Sequence, residues 1–279
     1  MRYVSIELNG KPVLGVRDAQ DNISVIGDES LESLLAQGVD LASYAKGRQA
    51  RQVVKADQAK FLPPLSRPTK IICAGLNYAD HTKESKYEQP DYPTLFLRLH
   101  TSLVAHNEPI VRPKVSDSLD FEGEVAVILG KGGRNIPQDK ALDCVAGYAI
   151  FNDGSVREYQ FKSPQWTVGK NFDATGGFGP DFVTADELPA GAKGLKLETR
   201  LNGKVVQSAN TSDMIFDVAT LISVTSEAIT LEPGDVIVSG TPAGIGWARD
   251  PKLLMRGGDV CEVTVEKLGT LRNPIVDES

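Results

Sequence analysis

The chain has 279 residues, 41% hydrophobic and 24% charged, which is ordinary globular usage and excludes collagen-like, disordered and membrane-spanning classes. Thirty Lys and Arg stand against 37 Asp and Glu, a formal charge of -7 with no basic block, so neither nucleic acid nor anionic lipid is an expected partner. Cys73, Cys144 and Cys261 are an odd set, far apart and in apolar surroundings; with an amino terminus that lacks an apolar leader, they point to the cytoplasm.

In chain order, short strands are predicted at Tyr3 to Leu8, Val13 to Val16 and Ile23 to Ile26, with turns at Asn9-Gly10 and Asp21-Asn22. A polar, helix-prone stretch follows from about Ser30 to Ala59. Pro63, Pro64 and Pro68 then favour an extended connector, which sets residues 1–65 apart as a small N-terminal α+β appendage and leaves 66–279 as the main domain.

Beyond Lys70 strand signals dominate: Ile71 to Cys73, a long alternating strand over Leu119 to Leu129, and Asp143 to Phe151. Leu195 to Ala209 reads as a hairpin turned by Asn202-Gly203, the strongest local signal in the chain. Met214 to Ile229 has helical period, with Ser212 or Asp213 as its cap and Val218, Leu221 and Ile222 on one face. Strands return at Val236 to Ser239, Val260 to Glu266 and Thr270 to Val276. Strands outnumber helices without alternating with them, so the fold class is mainly β with some α rather than a doubly wound parallel sheet.

The densest chemistry lies in Asp120-Phe121-Glu122-Gly123-Glu124. On a strand the three carboxylates share a face, where they repel unless a cation sits among them; a solvated strand face and a hard divalent cation site both fit. Asp153, where an apolar strand ends, is either a turn aspartate or a third ligand. Arg157 and Gln160 follow it at helical spacing, as an anion-reading face or a solvent-facing one. His81 and Glu84, three apart, form either a surface pair or a general base oriented by a carboxylate. Lys170 follows a glycine between aromatics, held in an apolar wall or snorkelling to solvent. No phosphate loop, nucleophile elbow or HExxH motif occurs.

The segments GLNYADH, TLFLR, DFEGEVAVILGK, GYAIFNDGSVREYQ, QWTVGKNFD, LNGKVVQSANTSDMIF and EPGDVIVSGTPAGIG, in this order over residues 70 to 276, resemble the fumarylacetoacetate hydrolase family. The resemblance implies a mixed β-sandwich roll, Mg2+ or Mn2+ as cofactor and a homodimer. It places the metal carboxylates on Glu122, Glu124 and Asp153, the catalytic histidine and its glutamate on His81 and Glu84, and the active-site lysine on Lys170. Substrate-contacting positions fall on Arg157, Gln160 and Thr241, with Asp120 left behind the ligands. The implied reaction is hydrolysis of a carbon–carbon bond in a small 2,4-diketo acid of the acylpyruvate or fumarylpyruvate type. Decarboxylation of oxaloacetate and tautomerisation of a hydroxymuconate-type diacid are the alternatives on the same residues. A non-catalytic metal-binding protein is the alternative from another class. The family's founding members carry a tyrosine where this chain has Ser163-Pro164.

Overall fold

The computed structural model describes residues 1–85 and 88–279. A 12-stranded sheet runs, edge to edge, through Gln52–Lys55, Asn22–Gly27, Lys11–Arg17, Arg2–Leu8, Gly176–Thr184, Val145–Asp153, Gly123–Leu129, Val236–Val238, Ile71–Gly75 and Thr94–Arg98. Lys60–Phe61 pairs with Arg2–Leu8, and Leu103–Val104 with Gly176–Thr184. A five-stranded sheet (Lys204–Asn210, Lys196–Leu201, Val260–Val265, Gly269–Asp277 and Ile110–Arg112) covers part of it. Val236–Val238 and Ile71–Gly75 are parallel while most other pairs are antiparallel, so the large sheet is mixed.

The strand Gly123–Leu129 lies at the centre, buried along its whole length. Val125, Val127 and Leu129 point toward the small sheet and the helix Val218–Ala228, meeting Leu197, Val263 and Leu221. Ala126 and Ile128 point the other way, toward Tyr3, Leu14 and the helix Leu31–Ala36. A strand covered on both faces reads as a continuous apolar run, as residues 125–129 do. The strands before residue 65 join this sheet through Arg2–Leu8 against Gly176–Thr184. After Thr94–Arg98 the chain turns through His100–Ser102 into Leu103–Val104, which lies parallel to Gly176-Gly177. The far edge of the sheet is thereby carried back to its middle.

Three expectations shift. The stretch 30–59 holds two short helices, Leu31–Ala36 and Leu41–Tyr44, and then a strand, Gln52–Lys55. Gly38 and Gly47, both at positive φ, close the helical turns, and the β-branched Val53 and Val54 pair with Ser24 and Ile23. The later helix begins at Val218, capped by Asp217, whose side chain accepts from the Thr220 amide. Asn77 takes the Phe216 amide on its Oδ1 and donates to the Phe216 carbonyl, holding that residue outside the helix, while Asp213 completes a capping box with Asn210. The 119–129 strand is broken. Leu119–Asp120 pairs with Val156 and Ser155, residues 121–122 leave the ladder, and pairing resumes at Gly123. Where pairing resumes, the small sheet lies close enough to require glycine: a Cβ on residue 123 would lie 2.2 Å from Thr199 Oγ1 and 2.9 Å from Val263. The Asn202-Gly203 hairpin forms where expected, with both residues at positive φ.

Candidate active site

At the broken strand, one ligand-type oxygen from each of Glu122, Glu124 and Asp153 comes within 4.8 Å of the others, and all three residues are buried. Glu122 lies in the break, where Asn152 Oδ1 receives its amide at 3.0 Å; Glu124 starts the central strand and Asp153 ends its neighbour. Asp120 does not join them. Its Oδ1 accepts from the Gly246 amide at 2.8 Å and its Oδ2 from the Trp247 amide and from Arg157 Nε, both at 2.9 Å. The strand break turns it away from the other two acids.

Buried cations surround the acids. Lys170 Nζ is 2.6 Å from both Glu122 Oε2 and Asp153 Oδ2. Arg157 Nη2 is 2.6 Å from Glu122 Oε1, and Arg157 Nη1 donates to Gln160 Oε1 at 2.9 Å. Arg98, from the far edge of the sheet, pairs with Asp153 Oδ1. Burial alone would raise Glu122, but Arg157, Lys170 and His81 hold it well below the ordinary carboxylate range. Burial works against the charge on Lys170 too, yet Asp153 and Glu122 keep it an ammonium.

Glu124 is the exception. Its Oε2 accepts from the Gly240 amide at 2.5 Å, and among the described residues no cation pairs with it. Burial, then Asp153 and Glu122, push its carboxyl well above the usual range. Asp120, Glu122, Glu124 and Asp153 thus face Arg98, Arg157 and Lys170, one negative charge in excess, in a site of hard oxygen donors. A buried carboxylate without a counter-charge is costly, and a divalent cation among these oxygens removes that cost. The residues fit a metal of the Mg2+ or Mn2+ kind.

Glu122, Glu124 and Lys170 line a cavity of about 290 Å³ together with His81, Glu84, Arg157, Gln160 and Thr241, and Asp153 lies behind that wall, against Lys170. Every site residue expected from the sequence except Asp153 therefore lines one cavity, and Asp153 reaches it through its contact with Lys170 and its neighbourhood with Glu122 and Glu124. His81 and Glu84 lie on the short helix Ala79–Glu84, with Nδ1 3.0 Å from Glu84 Oε1. Glu84 is anchored by the Gly244 amide at 3.0 and 2.9 Å. With Nδ1 so engaged, Nε2 is the ring nitrogen free for proton transfer. Arg157 has all three nitrogens turned to protein groups, and Gln160 Oε1 is held by it, so the amide nitrogen is the end Gln160 can offer a ligand. Thr241 donates to the Gly123 carbonyl at 3.0 Å and accepts from Gln207 at 2.8 Å, locking the strand break. Toward the mouth the wall is aromatic, with Trp166, Phe161 and Trp247.

Sequence reasoning gave no role to Arg98, Asn152, Gln207 or the amides of 240–247. The loop 240–247 holds three acids with backbone alone: Gly240 on Glu124, Gly244 on Glu84, Gly246 and Trp247 on Asp120. Arg98 sits in an apolar strand, an arginine in TLFLR that would be free to face solvent but is fully buried.

A mixed β roll that gathers carboxylates, a histidine–glutamate pair and a lysine round one cavity defines a class of small-molecule enzymes. The family model described as Fumarylacetoacetate (FAA) hydrolase C-terminal matches residues 70–276, and the chain belongs to that family. It is 38% identical over 252 residues to the human protein named oxaloacetate tautomerase FAHD2A, mitochondrial, covering 89% of this chain and 80% of that one. Among solved structures it superposes on a fumarylacetoacetate hydrolase from Exiguobacterium antarcticum with TM-score 0.88 and 34% identity, covering 100% of both chains. A 5-carboxymethyl-2-hydroxymuconate delta-isomerase from Mycobacterium smegmatis gives TM-score 0.81 and 30% identity, again covering 100% of both. No helix among the described residues is long and apolar enough to cross a membrane.

Proposed function

We propose that the protein is a metal-dependent tautomerase that interconverts the enol and keto forms of a small 2-oxo acid of the oxaloacetate type. The observation that carries this reading is the placement of His81, braced by Glu84, on the same cavity as Lys170, Arg157, Glu122 and Glu124, the last two grouped with the buried Asp153 closely enough to hold a metal ion. Relatives named oxaloacetate tautomerase and a structural neighbour named as a delta-isomerase support proton transfer rather than bond cleavage as the first reaction to test.

Glu122, Glu124 and Asp153 would hold Mg2+ or Mn2+, which supplies Lewis-acid polarisation of the 2-oxo group when bound. The chain's own residues do the rest. His81 Nε2 takes the proton from C3 as the 2-oxo oxygen gains one, or in reverse returns a proton to C3 as the enol oxygen gives its own up, so no atom is lost from the substrate. Glu84 holds the ring in one tautomer and stabilises its protonated form. Lys170, kept charged by Asp153 and Glu122, offsets the negative charge that grows on the enolate oxygen. The Gln160 amide offers a neutral donor to the substrate carboxylate.

A second reading stays open because of the same pair. A histidine oriented by a carboxylate also activates water, and water attack on a 2,4-diketo acid would cleave a carbon–carbon bond and release pyruvate or a relative of it. Decarboxylation of oxaloacetate would give the same enolate without needing the pair. One ultraviolet assay separates the three. Enol absorbance of oxaloacetate and diketo absorbance of a panel of acylpyruvates are followed with Mg2+ and with EDTA, while pyruvate and carbon dioxide are measured. Metal-dependent enol equilibration without pyruvate supports the tautomerase. Pyruvate from acylpyruvates makes it a hydrolase, and carbon dioxide from oxaloacetate makes it a decarboxylase. No metal-dependent change in any of them overturns the proposal.

A further inference from the structure

The Asn202-Gly203 hairpin carries one irregularity. Thr199 and Arg200 on its first strand pair with Gln207 and Val205 on its second, so Val206 is left out of the ladder as a β-bulge. The bulge packs on the loop 240–247: a Cβ on residue 244 would lie 2.2 Å from the Val206 carbonyl oxygen, and Gly244 has φ +107. Only glycine fits there. Arg249 closes the contact. Its Nη2 donates to the Val206 carbonyl at 2.6 Å and to the Gly244 carbonyl at 2.9 Å, and its Nε donates to the Gly244 carbonyl at 3.2 Å. A half-buried cation is thereby spent on two backbone carbonyls, and it is not part of the cavity wall.

Gly244 leads from there to the histidine. Its amide donates to both Glu84 oxygens, at 3.0 and 2.9 Å, and the Ile245 amide reaches Glu84 Oε1 at 3.4 Å. Glu84 Oε1 in turn meets His81 Nδ1 at 3.0 Å. The Gly244 carbonyl and the Ile245 amide belong to one planar peptide, so a guanidinium on the oxygen fixes that plane and polarises the N–H aimed at Glu84. A charged donor makes this a stronger bond than a neutral one would. The start of the loop is tied differently. Gln207 Nε2 donates to Thr241 Oγ1 at 2.8 Å and to the Pro242 carbonyl at 2.9 Å, beside the Gly240 amide that serves Glu124. Glu84 and Glu124 thus hang on one loop by two separate anchors.

We propose that Arg249 is a positioning residue of the proton-transfer pair, acting through the Gly244–Ile245 peptide on Glu84 and through Glu84 on His81, independently of the acids at the strand break. This rests on the reading of His81 and Glu84 as that pair. Lysine at 249 would bring a point charge to one carbonyl but could not hold Gly244 with two nitrogens, so it should replace only part of the effect.

The test uses the full-length chain and three readouts: kcat and KM for enol–keto conversion of oxaloacetate, Mn2+ affinity from the loss of its free electron-paramagnetic signal, and residue-by-residue amide exchange by NMR with Mg2+. Melting checks that each variant is folded. R249M should lower kcat by about tenfold, a fraction of what a positioned acid–base group is worth, and leave KM and Mn2+ affinity unchanged. Exchange should quicken at Gly244 and Ile245 but not at Gly240. R249K should recover part of both effects. A joint fall of kcat and Mn2+ affinity, with exchange quickened at Gly240 too, would mean a merely structural role and overturn the inference. Wild-type kcat in folded R249M would overturn it as well. If R249M does not fold, R249K decides on the same readouts. If the wild-type protein converts no oxaloacetate, the tautomerase reading falls on its own, and exchange alone decides whether Arg249 holds the donors to Glu84.

Discussion

Glu84 stands 3.0 Å from Nδ1 of His81, and both of its oxygens are fixed from behind by the Gly244 amide. The proposed base, His81, is therefore oriented by a carboxylate that the loop at Gly244 holds from behind.

That geometry separates catalysis from metal binding. His81→Ala should lower kcat by about a hundredfold or more, the usual worth of a positioned acid–base group, and leave Mn2+ affinity unchanged. Glu84→Gln should lower kcat less, because the amide still meets the ring but cannot stabilise its charged form. Parallel turnover assays and Mn2+ titrations check this; a loss of Mn2+ binding in His81→Ala would remove His81 from the role of base.

The acids at the cavity should respond to substitution in opposite senses. Glu122→Ala takes one carboxylate from each of Arg157 and Lys170, which keep only Asp120 and Asp153 in a buried site, so the metal-free protein should lose about 3 kcal/mol, the scale of a broken buried pair. Glu124 pairs with no cation among the described residues and carries a raised carboxyl, so Glu124→Gln should cost the metal-free protein little or even stabilise it. Both variants should fail to bind Mn2+. Denaturant titrations in EDTA beside Mn2+ titrations read the two quantities separately, and equal destabilisation would contradict the charge count.

Gly240 tests the loop. It has φ +99, and a Cβ there would lie 2.7 Å from Asn77 Cβ and 3.0 Å from the Ala74 carbonyl, while its amide is the donor to Glu124. Gly240→Ala should therefore destabilise the fold by about 1–3 kcal/mol and weaken Mn2+ together. Thermal melts with and without Mn2+ check both; an unaffected Mn2+ affinity would mean that the amide does not matter to Glu124.

Much of this site was legible before the fold. Glu122, Glu124 and Asp153 stand out because they end apolar strands, and a strand end with an acid on it must aim that acid somewhere. His81 with Glu84 and Arg157 with Gln160 are local pairs, set by one helical turn. What stayed hidden depends on distant parts of the chain. Asp120 parts from Glu122 where residues 121–122 leave the ladder, and it is held by the amides of Gly246 and Trp247, which nothing in residues 119–124 announces. Arg98 reads as an edge-strand arginine until the chain beyond it returns to the sheet. The amides of 240–247 carry no side-chain signature at all. The helix starts late because Asn77, about 140 positions upstream, grips Phe216.

His106, away from the cavity, provides the pH prediction. Burial, reinforced by Arg17 and Arg272, lowers it from 6.5 to about 4, and its Nδ1 accepts from the Arg272 amide at 3.1 Å. The folded state thus keeps it neutral while the unfolded chain takes up a proton below pH 6.5. The sign follows directly: the stability is whole above pH 6.5, declines as the pH falls from there, and the loss is complete once the pH is below about 4. A shift of this size corresponds to about 3 kcal/mol. His106→Asn keeps an acceptor for the Arg272 amide but cannot titrate, so its stability should fall less between pH 7 and pH 4 than that of the parent. Urea titrations of both proteins across this range give the difference, and parallel curves would show that His106 titrates normally in the folded chain.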